Sequence, residues 1–264
     1  MNLSARIAAA LGKDVREVRQ LPGGDLGGAA LAVLEDNREV VAKTGELVER
    51  EGAMLRAMAA TGAPVPEVLH SEAGLLVMAF IENDGRAGWT DCAEALRLLH
   101  AEREGQYGWE ADYAFGKVAI ANAPCGNWTE FWRDRRLLPF CAEVPGPLAR
   151  RIEVLAARLG DIVPQDPPPA LLHGDLWTGN VLFHQGRLAA LIDPACYVGD
   201  REVDLAMLQV FGSPPEAFFA ANELAPGWRE RVPVYQLWPM LVHLRLFGAG
   251  YRARVESLLA ACGA

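Results

Sequence analysis

Lysine is nearly absent from this chain, 3 residues against 22 arginines, and neither cysteine nor histidine forms any organised pattern. Cys92, Cys125, Cys141, Cys196 and Cys262 are odd in number and contain no Cys-x-x-Cys pair. That indicates neither a disulfide framework nor a zinc site and suits a reducing cytoplasm. His70, His100, His173, His184 and His243 are scattered and no His-Glu-x-x-His helix occurs, so a zinc hydrolase lacks its ligand spacing. No segment approaches the roughly 20 apolar residues of a membrane span. Leu3 to Leu11 is apolar but short, carries Ser4 and Arg6, and reads as an amphipathic helix closed by Gly12 rather than as a signal peptide. Positive charge is in deficit too: at a net charge of −9, binding to nucleic-acid phosphates is not expected, and an acidic body favours a cationic substrate. The Gly-x-x-x-x-Gly-Lys-Ser/Thr loop is missing, which excludes a Walker-type ATPase.

What is present is ordinary globular material: 264 residues, 51% hydrophobic and 22% charged, enough for one compact unit or two closely packed lobes. Residues 15–18, 29–34 and 39–43 alternate as strands, with turns at Pro22 to Gly28 and Glu35 to Arg38. A helix is expected over Glu46 to Ala60, then strands at Val68 to His70 and Gly74 to Ile81. From Thr90 onward the pattern turns helical, broken by a loop over residues 103–127. Asn127-Trp128-Thr129-Glu130 has capping-box spacing and predicts a helix running to Pro139. Trp128, Phe131 and Trp132 read as its core face, and Pro226, Pro233 and Pro239 punctuate the closing helices.

The strongest motif is Leu171-Leu172-His173-Gly174-Asp175-Leu176-Trp177-Thr178-Gly179-Asn180, followed by Leu191-Ile192-Asp193. Asp175 and Asn180 are five apart, the Asp-x-x-x-x-Asn spacing of a phosphotransferase catalytic loop, where the Asp accepts the proton of the attacking hydroxyl and the Asn helps hold Mg²⁺. Val181 to Phe183 and Leu188 to Ile192 read as a hairpin that returns Asp193 beside Asn180 as a second oxygen donor for the metals bridging ATP phosphates. The bland alternative is a polar turn and an ordinary strand-end carboxylate.

Lys43 ends the apolar strand Val40-Val41-Ala42, and alternation places it on the face of Val41. An ammonium there suits the α/β-phosphates, and Val41 suits the adenine. Glu51 falls inside the apolar helical stripe of Leu47, Met54, Leu55 and Met58, a costly place for a carboxylate without a partner, and Lys43 is the natural one. Gly23-Gly24 lies upstream, where a hairpin turn can also bring backbone N–H groups to the triphosphate.

Taken together these residues resemble the fructosamine (ketosamine) kinases, relatives of the aminoglycoside phosphotransferases within the protein-kinase-like superfamily. The likeness rests on His173-Gly174-Asp175-Leu176-Trp177-x-Gly179-Asn180, Asp193-Pro194-Ala195 and Tyr197-x-Gly199-Asp200-Arg201-Glu202-x-Asp204. Upstream, Gly23-Gly24-Asp25, Val41-Ala42-Lys43, Glu51 to Leu55, Tyr107-Gly108-Trp109 and Arg135-Arg136-Leu137 follow in the same order, so it covers nearly the whole chain. It implies an α+β, two-lobed fold: a small antiparallel-sheet lobe with one helix over residues 1–82 that binds nucleotide, and a mainly helical catalytic and acceptor-binding lobe over 83–264. It implies a kinase using ATP and Mg²⁺ to phosphorylate a sugar hydroxyl of a small amine-linked ketose; composition adds a cytoplasmic location and no nucleic-acid or membrane partner, and the oligomeric state is left open with a monomer favoured. Asp175 is then the base, Asn180 and Asp193 the metal ligands, and Gly23, Gly24, Val41, Lys43 and Glu51 the nucleotide site. His173 and Asp204 support the catalytic loop, Asp204 from the start of a helix, where the macrodipole alone would also favour it. Trp177 either stacks on the acceptor or packs the loop. Ile120 and Tyr113 stand where the family has polar residues, in a segment expected to border the acceptor pocket. A kinase for an aminoglycoside or choline-like compound, and a nucleotide-binding regulator without turnover, are the rivals.

Overall fold

The computed structural model describes residues 2–21 and 28–264, so Gly23 and Gly24 lie outside the described residues. In chain order the regular elements are α1 (Leu3–Leu11), β1 (Val15–Gln20), β2 (Ala29–Leu34), β3 (Glu39–Lys43), α2 (Val48–Ala59), β4 (Val68–Glu72), β5 (Leu75–Ala79) and α3 (Trp89–Leu99). Then come β6 (Tyr113–Phe115), β7 (Val118–Ile120), α4 (Trp128–Trp132), α5 (Gly146–Ala157), β8 (Ala170–Leu172), β9 (Val181–His184), β10 (Arg187–Leu191) and β11 (Tyr197–Gly199). The chain closes with α6 (Glu202–Leu208), α7 (Glu216–Ala221), α8 (Trp228–Phe247) and α9 (Arg252–Ala261).

Two compact units emerge, Met1–Ala95 with Asn180–Pro194, and Leu96–Gly179 with Ala195–Ala264. Neither is continuous in sequence. The division falls inside α3, and the hairpin segment is tied into the first unit by Leu191, which donates its backbone N–H to Pro64, and by Asp84, which donates to Phe183, at 2.9 Å each.

In the first unit β1 to β5 form an antiparallel sheet in the order β1-β2-β3-β5-β4. Strand alternation sorts its faces. Val40 and Ala42 join Ala32, Leu34, Leu75 and Val77 under Ile7 of α1, while Val41 packs with Leu76 and Met78 among Val48 and Leu55 of α2. α1 is capped at both ends: the Asn2 side chain accepts from the Ala5 N–H at 2.9 Å and Gly12 adopts φ 64°. The β9-β10 hairpin turns through Gln185 and Gly186, both at positive φ, which matches the twist of its strands.

The second unit is built on an aromatic core of Trp128, Phe131, Trp132, Tyr197, Tyr235 and Trp238. The Asn127 side chain accepts from the Glu130 N–H at 2.9 Å and starts α4. The turn then widens to a π-helical segment, Arg133–Leu137, and tightens again over Leu138–Ala142. Arg136 is fully buried there, its guanidinium 4.5 to 4.9 Å from the ring centres of Tyr197, Phe131 and Trp238 and bonded to Asn122 and the Ala121 carbonyl at 2.7 Å. Ile120 lies in this core, 4% exposed, because three-residue β7 carries it inward. Pro233 and Pro239 sit inside α8 rather than ending it, because burial of Val234 to Val242 outweighs the lost amide donors.

Candidate active site

In the first unit the last residue of β3 meets the first turns of α2. Gly52 allows this approach: a Cβ there would come within 2.4 Å of the Ser71 hydroxyl on β4. With α2 seated, Lys43 Nζ donates to Glu51 Oε1 at 2.7 Å and to Asp193 Oδ1 at 2.7 Å. Asp193 follows β10 in the left-handed region, φ 56°, which Asp tolerates better than most side chains. Ile192 N–H donates to the Asn180 carbonyl at 3.0 Å, so Asp193 and the buried Asn180 are held at the same end of the hairpin.

Burial opposes a charge on Lys43, yet Glu51 and Asp193 outweigh it and raise the ammonium's pKa above the ordinary lysine value. Burial also raises the Glu51 carboxyl, against the pull of Lys43. The Asp193 charge adds to burial in raising Glu51, and a single ammonium between two carboxylates leaves a net negative cluster, which favours an added cation. Glu51 is enclosed, whereas the Asp193 side chain is 39% exposed and open to a ligand.

In the second unit β8 pairs with β11 and delivers the turn His173-Gly174-Asp175. Asp204, fully buried on α6, accepts the His173 N–H through Oδ2 at 2.7 Å and the Gly174 N–H through Oδ1 at 3.0 Å. The Asp175 N–H donates to His173 Nδ1 at 3.3 Å, and the Ala195 N–H to the His173 carbonyl at 2.8 Å. Gly174 is at φ 80°, and a Cβ there would stand 2.0 Å from the Ala195 oxygen, so this turn requires glycine. Asp175 is half-buried, and Trp177 is 38% exposed, its ring edge-on to Phe211.

His100 joins this constellation, and the sequence does not announce it. It stands just past α3 and its Nε2 lies 2.9 Å from Asp204 Oδ2; since a carboxylate oxygen there accepts backbone N–H groups, the imidazole is the donor. A lone histidine at a helix end gives no local signal of a partner 104 positions away. Lys43, Glu51 and Asp193 are therefore brought together in one unit, with Asn180 tethered beside them. Asp175, His173 and Asp204 form the other constellation.

A strand lysine paired to a helix glutamate, with an Asp-x-x-x-x-Asn turn braced by a buried helical Asp, defines an α+β phosphotransferase of the protein-kinase-like class. The aminoglycoside phosphotransferase APH(4)-Ia, solved as a ternary complex with ADP and hygromycin B, shares that fold at a TM-score of 0.71 and 17% identity, over 100% of this chain and 97% of that one. The chain belongs to the fructosamine kinase family, whose sequence profile matches residues 2–263. It is thus a phosphotransferase with an alcohol group as acceptor. A Thermobifida fusca crystal structure assigned as a fructosamine-3-kinase superposes with a TM-score of 0.90 at 30% identity, covering 99% of this chain and 98% of that one. A Synechocystis protein named "probable ketoamine kinase" is 32% identical over 94% of this chain and 90% of its own length. A chloroplastic protein-ribulosamine 3-kinase of Arabidopsis thaliana is 30% identical over 70% and 60% respectively. Among the described residues no helix is long and apolar enough to cross a membrane.

Proposed function

We propose that this chain is an ATP- and Mg²⁺-dependent kinase that phosphorylates a sugar hydroxyl of a ketosamine, a fructosyl- or ribulosyl-amine, and so supports deglycation. The observation that carries this reading is Lys43 held at 2.7 Å by both Glu51 and Asp193. An ammonium aimed in this way suits α/β-phosphates, with Val41 beside it on the strand for the base, and the exposed Asp193 oxygen suits the cation that accompanies them. Asn180 and Asp193 are hard oxygen donors. No group of three or more His, Cys, Asp or Glu that could hold a metal occurs among the described residues. That donor set fits Mg²⁺, which takes one or two protein oxygens together with substrate phosphates.

The bound nucleotide and its metal supply the transferable phosphoryl group and neutralise its charge. Asp175 takes the proton of the acceptor hydroxyl as its oxygen attacks the terminal phosphorus, and the bond to the leaving diphosphate breaks. Asp204 and His173 keep that carboxylate aimed by fixing the turn's backbone. The names of the relatives, ketoamine and ribulosamine kinases, support the acceptor class. A net charge of −9 draws a protonated amine. Phosphorylated ketosamine then sheds its sugar and frees the amine.

A coupled assay of ADP release against ketosamines, aminoglycosides and choline tests the reading directly. Turnover of a fructosyl- or ribulosyl-amine, abolished by removing Mg²⁺ and lowered about 10² to 10⁴-fold by Asp175→Asn, is the expected result. Turnover of aminoglycosides alone would refute the acceptor class.

A further inference from the structure

Among the described residues the exposed large apolar side chains are Leu98, Val154, Trp177, Phe211 and Phe247, and the three aromatic ones belong to a single strip. Trp177 meets Phe211 at 6.1 Å between ring centres, Phe211 meets His243 at 5.1 Å, and His243 meets Phe247 at 5.5 Å and Tyr251 at 5.0 Å. All of these residues lie in the second unit. His243 and Phe247 are four apart on the last turns of α8, hence on one face, and Tyr251 follows in the next turn. His243 Nδ1 lies 2.7 Å from the Pro239 carbonyl oxygen, which can only accept, so Nδ1 carries a proton and the ring is fixed in plane. Trp128, Phe131, Trp132, Tyr197, Tyr235 and Trp238 of this unit's core are at most 4% exposed; Phe211 and Phe247 stay 45% and 47% in water, a cost that packing within the unit does not relieve.

The strip begins two residues after Asp175. We propose that Phe211, His243, Phe247 and Tyr251 form a subsite for the amine-side substituent of the acceptor, selective for aryl and bulky apolar groups. The inference rests on the ketosamine reading above and adds the class of amine. A ketosamine is a sugar, a protonated secondary amine and a substituent in a row. With the sugar hydroxyl at Asp175 and the ring at Trp177, the ammonium and its substituent fall along the aromatic faces that follow, where cation–π attraction and ring stacking both act. A polyhydroxylated acceptor has nothing apolar to place there.

The test compares fructosyl-benzylamine with fructosyl-methylamine, by calorimetric Kd on the intact protein and by KM in the coupled assay. The benzyl conjugate is expected to bind about five- to tenfold more tightly, the worth of one aromatic contact. Phe247→Ala should bring that ratio near unity, Tyr251→Leu should lower it less, and Val154→Ala, on exposed apolar surface elsewhere, should leave it intact. Equal Kd values in the unaltered protein, no binding of either conjugate, or a preference that survives both strip substitutions would overturn the subsite. If the benzyl preference depends on Phe247 but no ketosamine is phosphorylated, the subsite stands and the kinase acceptor reading falls.

Discussion

His100 donates a 2.9 Å hydrogen bond to Asp204, and both side chains are shut away from solvent, at 2% and 0% exposure. The same carboxylate takes the backbone N–H groups of His173 and Gly174, so the histidine orients a group that braces the turn leading to Asp175. His100→Ala leaves a buried carboxylate short of one donor. It should cost about 2 to 3 kcal/mol of stability, read as a lowered Tm, and should lower kcat more than it raises either KM. His100→Asn keeps an N–H donor and should recover part of both losses, whereas a purely packing role would give no such recovery.

Lys43 and Glu51 differ in what their loss should do. Lys43→Ala removes the ammonium itself and should reduce kcat/KM for ATP by about 10²-fold, in the range seen when one charge-stabilising donor is removed. Glu51→Ala leaves Lys43 paired to Asp193 alone and should reduce it about tenfold, since the ammonium persists but is aimed from one side. Steady-state kinetics with varied ATP settle the order. An equal loss in both variants would mean that Glu51 does more than orient Lys43.

The Lys43–Glu51 pairing is legible in the sequence because a carboxylate in an apolar helical stripe demands a cation, and the lysine-poor sheet offers Lys43. The boundaries of α1, β2 and β3 are legible for a similar reason: Gly12, alternation and turn residues speak locally. The three-residue strands β6, β7 and β11 are not, since they are too short to display a period of two. That gap hides the burial of Ile120, and the prolines of α8 suggest an interruption only while the burial around them is unknown. Long-range polar pairs such as His100 with Asp204 leave no local trace at all. The hairpin's membership in the first unit likewise rests on long-range contacts, among them Leu191 to Pro64, Asp84 to Phe183 and Lys43 to Asp193, that no periodicity encodes.

Asp193→Asn keeps an oxygen near Lys43 but removes the charge that would face the metal. The variant should need roughly tenfold more Mg²⁺ for half-maximal rate and lose most turnover, while Val41 and Lys43 preserve part of the nucleotide affinity. Titrating Mg²⁺ at fixed ATP measures the shift. Unchanged Mg²⁺ dependence would remove Asp193 from the metal site and leave it as a partner of Lys43 only.

Stability should carry a pH signature from Asp200, deep in the second unit. Burial, with the nearby Glu202 charge, raises its carboxyl from 3.8 to about 6, against the opposing hydrogen bonds from the Glu202 N–H at 3.0 Å and the Tyr235 hydroxyl at 2.7 Å. A carboxyl raised on folding binds its proton more firmly in the native state than in the unfolded one. Its favourable contribution is therefore fully present below the unfolded value of 3.8 and is lost as pH rises through about 6. A shift of this size corresponds to about 3 kcal/mol between those limits. Asp200→Asn cannot titrate, though its amide can still bond the Glu202 N–H and the Tyr235 oxygen at a pH-independent cost of about 1 kcal/mol. Urea unfolding of both proteins from pH 4 to pH 7 should show the variant gaining on the parent as pH rises, with the curves parallel above about pH 7. A constant offset across the range would mean that Asp200 stays ionised throughout. The chain would then hold a buried carboxylate by its Tyr235 and backbone bonds together with the Arg231 charge.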